Sequence, residues 1–257
     1  MNRNNSWLLP EGIDELLPAQ ARPLERLRRA LLDTYTTWGY QMVVTPFIEF
    51  LESLLTGTGR DLDLQTFKLT DQVSGRLLGV RADITPQAAR IDAHRLRHEA
   101  PTRLCYIGSV LRTRADGFSG SRSPLQIGAE LYGHAGVESD VEIVCLMMET
   151  LKVAGLDDIY LDLGHVGIFR ALAEAAGLDA GQEAELFEAL QRKAAAEIGE
   201  LLDGFGLSQD MRRMLSALVE LNGDEEVLPR ARELLAGAPP AVAAAIDYVE
   251  AVATQLK

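Results

Sequence analysis

The chain has 257 residues, enough for one large domain or two small ones with a substantial core. Hydrophobic residues make up 47% of it and charged residues 25%, which is an ordinary globular composition. The formal net charge of −13 counts against nucleic acid as the main partner, because a nucleic-acid surface needs a basic field.

The sequence gives no sign of secretion or of a membrane span. Residues 1–12 lack the apolar core of a signal peptide, and no run of about 18 apolar residues is present to cross a bilayer. Cys105 and Cys145 are the only cysteines, and each lies among apolar residues. This is typical of small buried side chains in a reduced compartment. We therefore expect a cytoplasmic protein with no membrane partner.

The first two thirds of the chain mix helical and extended patterns. Helices are predicted at 18–38, at 85–98 and after a capping box formed by Ser139 and Glu142. Strands are predicted at 41–44, 66–70, 76–81, 103–114, 125–133 and 159–164.

The character of the chain changes after Gly177. The remaining residues are rich in Ala, Leu and Glu, and GFG and NGD interrupt them without any clear strand pattern. Four helices are predicted there, at 180–202, 208–221, 224–236 and 240–256. We therefore predict an α+β fold in two parts. Residues 1–177 form a core with a mostly antiparallel sheet of six or seven strands flanked by helices, and residues 178–257 form a helical insert region.

The predicted strand at 125–133 has one apolar face and one polar face, because side chains alternate across a strand. Gln126, Gly128, Glu130 and Tyr132 share the polar face. The glycine between the two long polar side chains leaves open space in which a ligand could lie.

The neighbouring segments add polar groups to this face. On the predicted partner strand, Tyr106, Gly108, Arg112 and Arg114 fall on one side by the same alternation. The segment 80–85 adds Arg81, Asp83 and Thr85 at the start of a helix. A carboxylate there suits an ammonium group, and helix N–H groups suit an anion. The loop at 115–124 contains two Gly and three Ser, so we expect a mobile flap over the pocket.

Four segments in this order resemble the catalytic core of the class II histidyl-tRNA synthetases. They are GYQMVVTPFIE (39–49), VRADITPQAAR (80–90), YIGSVLR (106–112) and LQIGAELYG (125–133). The resemblance implies a class II synthetase-like fold, with a dimer interface built by the first segment.

The same resemblance implies a histidine site. The family positions that hold histidine correspond here to Asp83, Thr85, Gln126 and Glu130. The arginine that meets the ATP α-phosphate and the amino-acid carboxylate in the family corresponds to Arg112.

The sequence departs from the synthetases at the nucleotide end of the site. Arg114 stands where the synthetases place a glutamate that orients adenine, and the loop after it lacks their basic and aromatic residues. Asp83 is one methylene shorter than the family's glutamate. RADITPQAARID, SRSPLQIGAELYGH and ESDVEIVCLM instead resemble the synthetase paralogues that serve as regulatory subunits of ATP phosphoribosyltransferase.

This second resemblance implies a non-catalytic subunit of histidine biosynthesis. Its implied partners are the short catalytic phosphoribosyltransferase chain, a second copy of itself and L-histidine as effector, with no cofactor and no nucleic acid. The paralogues continue past the helical insert into further strands, a tyrosine-bearing histidine motif and a third, arginine-bearing motif. Because this sequence ends at Lys257, we expect its sheet and pocket to be incomplete.

Two other functions stay open from the sequence. The chain could be a synthetase core that activates histidine with ATP, or a scaffold whose pocket is vestigial. Arg114 and the acidic balance favour the regulatory hypothesis over the first, and Gln126 with Glu130 favour it over the second. His94 and His98 have the i,i+4 spacing of metal ligands, but no third ligand is evident, so no metal site is predicted.

Overall fold

A computed structural model of the chain describes residues 7–57, 60–115, 120–224 and 226–257. Its contacts divide the chain into two compact units, Met1–Ile159 and Tyr160–Lys257. The sequence predicted a domain boundary at residue 177, whereas the contacts place residues 160–177 in the second unit. The predicted division into a core and a helical insert stays a prediction. None of the helices in the described part of the chain combines the length and the apolarity that a membrane span needs.

The first unit alternates helices and short strands. Its helices are α1 (Pro18–Thr37), α2 (Leu51–Leu54), α3 (Arg60–Gln65), α4 (Thr85–Ile91), a π-helical turn (Asp92–Leu96) and α5 (Val137–Val153). Its strands are β1 (Gln41–Met42), β2 (Ile48–Phe50), β3 (Phe67–Thr70), β4 (Leu77–Val80), β5 (Thr102–Ser109) and β6 (Leu125–Tyr132).

The strands form two three-stranded sheets in the described residues, so the prediction of one sheet of six or seven strands is wrong for this chain. One sheet has the order β1-β5-β6, with β1 parallel to β5, and the other has the antiparallel order β2-β4-β3. Among the described residues, a Thr66–Arg112 bridge and bonds such as Leu111 N–H to Arg81 O and Arg81 Nε–H to Ser109 O, each 2.9 Å, connect them. The predicted strand at 159–164 has no strand pairing, which removes one expected member of the sheet.

The pairing of β5 with β6 fixes which side chains share a face. Tyr106 lies opposite Gly128, and Gly108 lies opposite Gln126. The helices α1 and α5 contribute Tyr35 and Leu146 to a core cluster on this sheet. A second cluster around Ile84, Ala88, Tyr106 and Val110 packs the start of α4 against the sheet.

The predicted capping box at Ser139 and Glu142 is wrong. The helix α5 begins three residues earlier than that motif implies, with Gly136 as its N-cap. The Ser139 hydroxyl instead bonds His134 Nδ1 at 2.6 Å. Glu142 forms a bidentate ion pair with Arg103, at 2.6 and 2.7 Å, so its carboxylate is engaged with β5 and not with the helix start.

The second unit is helical in its described residues. Its helices are α6 (Val166–Ala176), α7 (Ala180–Gln191), α8 (Ala195–Gly204), α9 (Gln209–Ala217), a 3₁₀ turn (Leu218–Glu220), α10 (Val227–Leu234) and α11 (Pro240–Gln255). The predicted helix at 180–202 is two helices, because Lys193 adopts a left-handed conformation with φ of 52° between them. The helix α6 was not predicted. A core that includes Phe169, Leu186 and Leu215 holds the unit together.

Candidate functional site

A hydrogen-bonded pair, Gln126 and Asp83, joins β6 to the turn before α4. The side-chain amide of Gln126 donates to Asp83 Oδ1 at 2.6 Å and accepts from the backbone N–H of Ile84 at 3.0 Å. Asp83 Oδ1 also accepts from the backbone N–H of Thr85 at 3.1 Å. The carboxylate is therefore held at the start of α4, where the helix presents its N-terminal N–H groups.

Tyr106 connects Glu130 on β6 to Thr85 at the start of α4. Its hydroxyl donates to Glu130 Oε1 at 3.0 Å and shares a hydrogen bond of 2.9 Å with Thr85 Oγ1. The ring lies across β6 at Gly128, where an added Cβ would be 2.3 Å from the tyrosine oxygen. Gly128 thus makes room for the Tyr106 ring, so the prediction that it leaves open space for a ligand is wrong.

Sequence reasoning had not assigned Tyr106 to the histidine site. Its signal in the sequence is its place on the polar face of the predicted strand at 103–114, on the same side as Arg112. With the side chain 3% exposed, Tyr106 supports the site from beneath and offers little surface to a ligand.

Two carboxylates contribute negative charge to the site. Burial raises the pKa of Glu130, and repulsion from Asp83 adds to this, while hydrogen bonds from Tyr106 and Thr85 act in the opposite direction. Burial also raises the pKa of the Tyr106 hydroxyl, so it stays a neutral donor. A pair of half-buried carboxylates favours a ligand with positive charge or with several N–H donors.

Arg112 reaches the same turn from the end of β5. Its Nε lies 3.5 Å from the carbonyl oxygen of Ala82, and its backbone N–H donates to Arg122 O at 2.8 Å. Arg122 in turn donates its Nε to Arg112 O at 3.1 Å. The structure therefore brings all five predicted site residues to one region around the turn and β6; that they bind histidine stays a prediction.

Arg81 belongs to the framework, although the alternation of residues 80–85 had grouped it with Asp83 and Thr85. It is 8% exposed and donates to Ser109 O, to Thr45 O and to the Thr45 hydroxyl, at 2.8 to 2.9 Å. Burial lowers the pKa of its guanidinium. Gly108 is needed above it, since an added Cβ would lie 2.5 Å from Arg81 Nη2.

The region that the synthetase resemblance assigns to the nucleotide falls partly outside the described residues. Arg114 is exposed, and residues 116–119 of the expected flap lie outside the described residues. Among the described residues, no group of three or more His, Cys, Asp or Glu side chains could hold a metal ion.

A family model described as histidyl-tRNA synthetase matches residues 12–257. The chain belongs to the histidyl-tRNA synthetase family. Within it, the chain is 62% identical over 256 residues to an ATP phosphoribosyltransferase regulatory subunit of Alkalilimnicola ehrlichii, covering 100% of this chain and 64% of that protein. A second regulatory subunit, from Thioalkalivibrio sulfidiphilus, is 62% identical, covering 98% of this chain and 64% of that protein.

Solved structures agree with this membership in the synthetase family. An ATP phosphoribosyltransferase regulatory subunit/histidyl-tRNA synthetase from Bacillus halodurans matches with a TM-score of 0.86 at 28% identity, covering 100% of this chain and 66% of that one. A histidyl-tRNA synthetase from Nostoc has a TM-score of 0.76 at 17% identity, covering 98% and 58%, and supports the fold alone. The predicted resemblance and the synthetase-like fold are confirmed, and the chain spans just under two thirds of its curated relatives.

Proposed function

We propose that the chain is the regulatory, non-catalytic part of a cytoplasmic ATP phosphoribosyltransferase and that it binds L-histidine as the feedback effector of histidine biosynthesis. The observation that supports this most is the hydrogen-bonded cluster of Asp83, Thr85, Gln126 and Glu130. The four residues that the resemblance assigns to histidine are all present and are joined by hydrogen bonds, whereas Arg114 departs from the synthetase pattern on the nucleotide side. Relatives 62% identical that are named as regulatory subunits add to this support.

Histidine matches the charges of the cluster. In the proposed pose, Asp83 accepts from the ligand's ammonium group, and Glu130 accepts from an imidazole nitrogen. Gln126 and Thr85 hold these carboxylates and the turn in place, and Arg112 faces the ligand's carboxylate, for which a guanidinium is well suited. Each group is then used for recognition, and none is placed to attack a bond.

The same geometry disfavours activation of histidine with ATP. A synthetase needs an acceptor for the adenine amino group at the position of Arg114, and a guanidinium has only donors. The cation therefore acts against the productive pose of the nucleotide. The synthetase hypothesis remains the alternative function, and a vestigial pocket on a scaffold is the third.

Two protein partners belong to the proposal, the short catalytic phosphoribosyltransferase chain and a second copy of this chain. Support for the self-dimer comes from the segment 39–49. Met42 is 50% exposed, Val44 82% and Phe47 46%, an apolar surface of the kind that interfaces cover.

Nucleic acid is not among the proposed partners. The second unit has 17 acidic and 8 basic residues, a formal charge of −9. Such a field repels a phosphate backbone.

Calorimetric titration of the 257-residue chain with L-histidine and, separately, with ATP tests the proposal. The regulatory hypothesis predicts that histidine binds and ATP does not. Binding of both ligands would favour the synthetase, and binding of neither would favour the scaffold. A parallel titration of the longer Alkalilimnicola relative provides the comparison for any part of the pocket that residues after 257 supply.

A further inference from the structure

The second unit contains a cavity of about 350 Å³ that is separate from the proposed histidine site. Side chains from five helical segments line it: α6, α7, the 3₁₀ turn, α10 and α11. Phe169, Ala231 and Ile246 form its floor and are only 2–6% exposed, so the cavity reaches the core of the unit. Leu163, Gly164 and Gln191, all exposed, lie at its mouth.

The cavity opens to the surface beside Leu163, which is 38% exposed, and extends inward to Ile246, which is 2% exposed. A volume of 350 Å³ falls within the range of small-molecule sites, roughly 300–1,000 Å³. Several helical segments line it within this volume, and these dimensions suit a compact ligand better than a partner helix, which is about 10–12 Å wide with its side chains.

The lining shows what kind of ligand would fit. His165 and Gln191 are the only polar side chains among the lining residues that the structure describes, and none of them is a carboxylate, although the unit as a whole is acidic. The rings of Phe169 and Phe187 meet at 5.2 Å between centroids and present an aromatic wall. Among these described side chains a cationic ligand would find no counter-charge, whereas a neutral aromatic or aliphatic one would pack against apolar atoms.

His165 lines the cavity and carries a ring nitrogen that is able to donate a hydrogen bond. Its Nδ1 accepts the backbone N–H of Gly167 at 3.0 Å, which caps α6, so the neutral ring has its proton on Nε2. The ring packs edge-on against Tyr248 at 5.6 Å between centroids, which limits its rotation. A ligand held by this ring needs one acceptor oxygen or nitrogen.

We infer that the helical unit binds a small, neutral, largely hydrocarbon molecule with a single hydrogen-bond acceptor, in a site distinct from that for histidine. Its apolar part fills the space between Phe169, Phe187 and Ile246, and its acceptor meets Nε2–H of His165.

Two probes test this inference on the 257-residue chain. Acetophenone has an aromatic ring and one carbonyl acceptor, and ethylbenzene has nearly the same shape without the acceptor. We expect saturable binding of both in a titration followed by NMR, with acetophenone the tighter ligand. His165→Ser keeps a side-chain acceptor for the α6 cap, but its short side chain cannot place a donor where Nε2–H lies. It should weaken acetophenone by roughly two- to tenfold and leave ethylbenzene unchanged.

Filling the cavity supplies the decisive control. Ala231→Met places a flexible side chain into the cavity from α10, and Val249→Phe does so from α11 in case the first variant fails to fold. Either should abolish saturable binding without lowering the melting temperature, whereas Ala243→Met on the exposed side of α11 should bind like the parent. Binding that survives in a folded filled variant would overturn the inference. The inference would also be overturned if the parent chain showed no saturable binding, or if the longer Alkalilimnicola relative did not bind the probes.

Discussion

Gln126 and Asp83 are 43 residues apart in the chain and are joined by a side-chain hydrogen bond of 2.6 Å. The bond fixes the turn before α4 against β6, and the backbone N–H groups of Ile84 and Thr85 complete the arrangement. The proposed site is thus organised before a ligand arrives, which lowers the entropy cost of binding. Substitutions in this cluster should therefore affect ligand affinity and local stability in separable ways.

Glu130→Gln should weaken histidine binding roughly ten- to hundredfold, because a charge-assisted hydrogen bond contributes about 1.5–3 kcal/mol. Glutamine has the same size as glutamate, so the change opens no cavity. Calorimetric titration beside a thermal melt measures both effects. Glu99→Gln is the control, because it makes the same chemical change at an exposed residue. Unchanged affinity at an unchanged melting temperature would show that the pocket is assigned to the wrong residues.

The same variant should change the pH dependence of stability. The pKa of Glu130 in the folded chain is raised above its ordinary value of 4.5, chiefly by burial. The folded state then holds the proton more tightly than the unfolded state does. The stability contribution of Glu130 is complete below about pH 4.5 and is lost as the pH rises through the folded pKa. Melting curves from pH 4 to 7 should show this fall in the parent and a smaller one in Glu130→Gln.

Tyr106→Phe and Tyr132→Phe form a matched pair on facing strands. The Tyr106 hydroxyl bonds Glu130 and Thr85, whereas the Tyr132 hydroxyl is buried and has no hydrogen-bond partner among the described residues. Losing the first should cost about 1–3 kcal/mol of unfolding free energy, and losing the second should be neutral or stabilising. Chemical denaturation of the two variants measures the difference.

Tyr106→Phe should also raise the pKa of Glu130 further, since the bond from Tyr106 lowers it in the parent. Carbon-13 NMR titration of the Glu130 carboxyl group follows this change directly. Equal stability losses in the two tyrosine variants would contradict the bonding scheme of the site.

Gly128→Ala should disrupt the site from within. The added Cβ would lie 2.3–2.4 Å from the hydroxyl oxygen and Cζ of Tyr106, so the ring must move and its bonds to Glu130 and Thr85 must break. We expect a loss of about 1–3 kcal/mol in stability, the usual cost of overpacking, together with weaker histidine binding. Gly199→Ala in α8 meets no atom within 4 Å and should stabilise the chain by about 0.5–1 kcal/mol. Denaturant melts and calorimetry on both variants separate the two cases.

The sequence predicted the local elements of the first unit better than their assembly. Strand alternation placed Gln126, Gly128 and Glu130 on one face correctly, because a period of two is a local property of the chain. It could not show that Arg81 turns away from Asp83 and Thr85 to bond Thr45 and Ser109, since those partners come from other segments. Nor could it show that the strands pair as two sheets, because strand pairing depends on contacts distant in sequence.

Residues 159–176 illustrate a second limit. The sequence IYLDLG has an alternating apolar pattern and was predicted as a strand, but it pairs with no other strand of the described chain. A strand needs a neighbour as well as a pattern. The helix α6 that follows was missed, although His165 caps it and Gly177 ends it with φ of 69°. Glycine after a helix is a common stop signal in a sequence, whereas histidine is not among the preferred N-cap residues.

The chain should show no histidine-dependent exchange between ATP and pyrophosphate. Exchange requires that ATP binds in a productive pose. The Arg114 cation opposes that pose, and Arg112 alone cannot orient adenine. Arg114→Glu alone should not create activity, because one acceptor does not rebuild the nucleotide side. Exchange above background in the parent that disappears in Arg112→Ala would establish the synthetase alternative.

Val44→Lys should convert the proposed self-dimer into a monomer. Val44 is 82% exposed in the chain, so lysine there disturbs no core packing, but it would bury an unpaired ammonium in a dimer interface formed by residues 39–49. Val73 is 96% exposed and lies in a hairpin turn outside the proposed interface. Val73→Lys therefore makes the same chemical change and should leave the dimer intact. Sedimentation velocity over a concentration series measures both variants, and thermal melts check that each is folded. A parent chain that sediments as a monomer throughout, or a Val44→Lys variant that remains as dimeric as Val73→Lys, would remove this segment from the proposed interface.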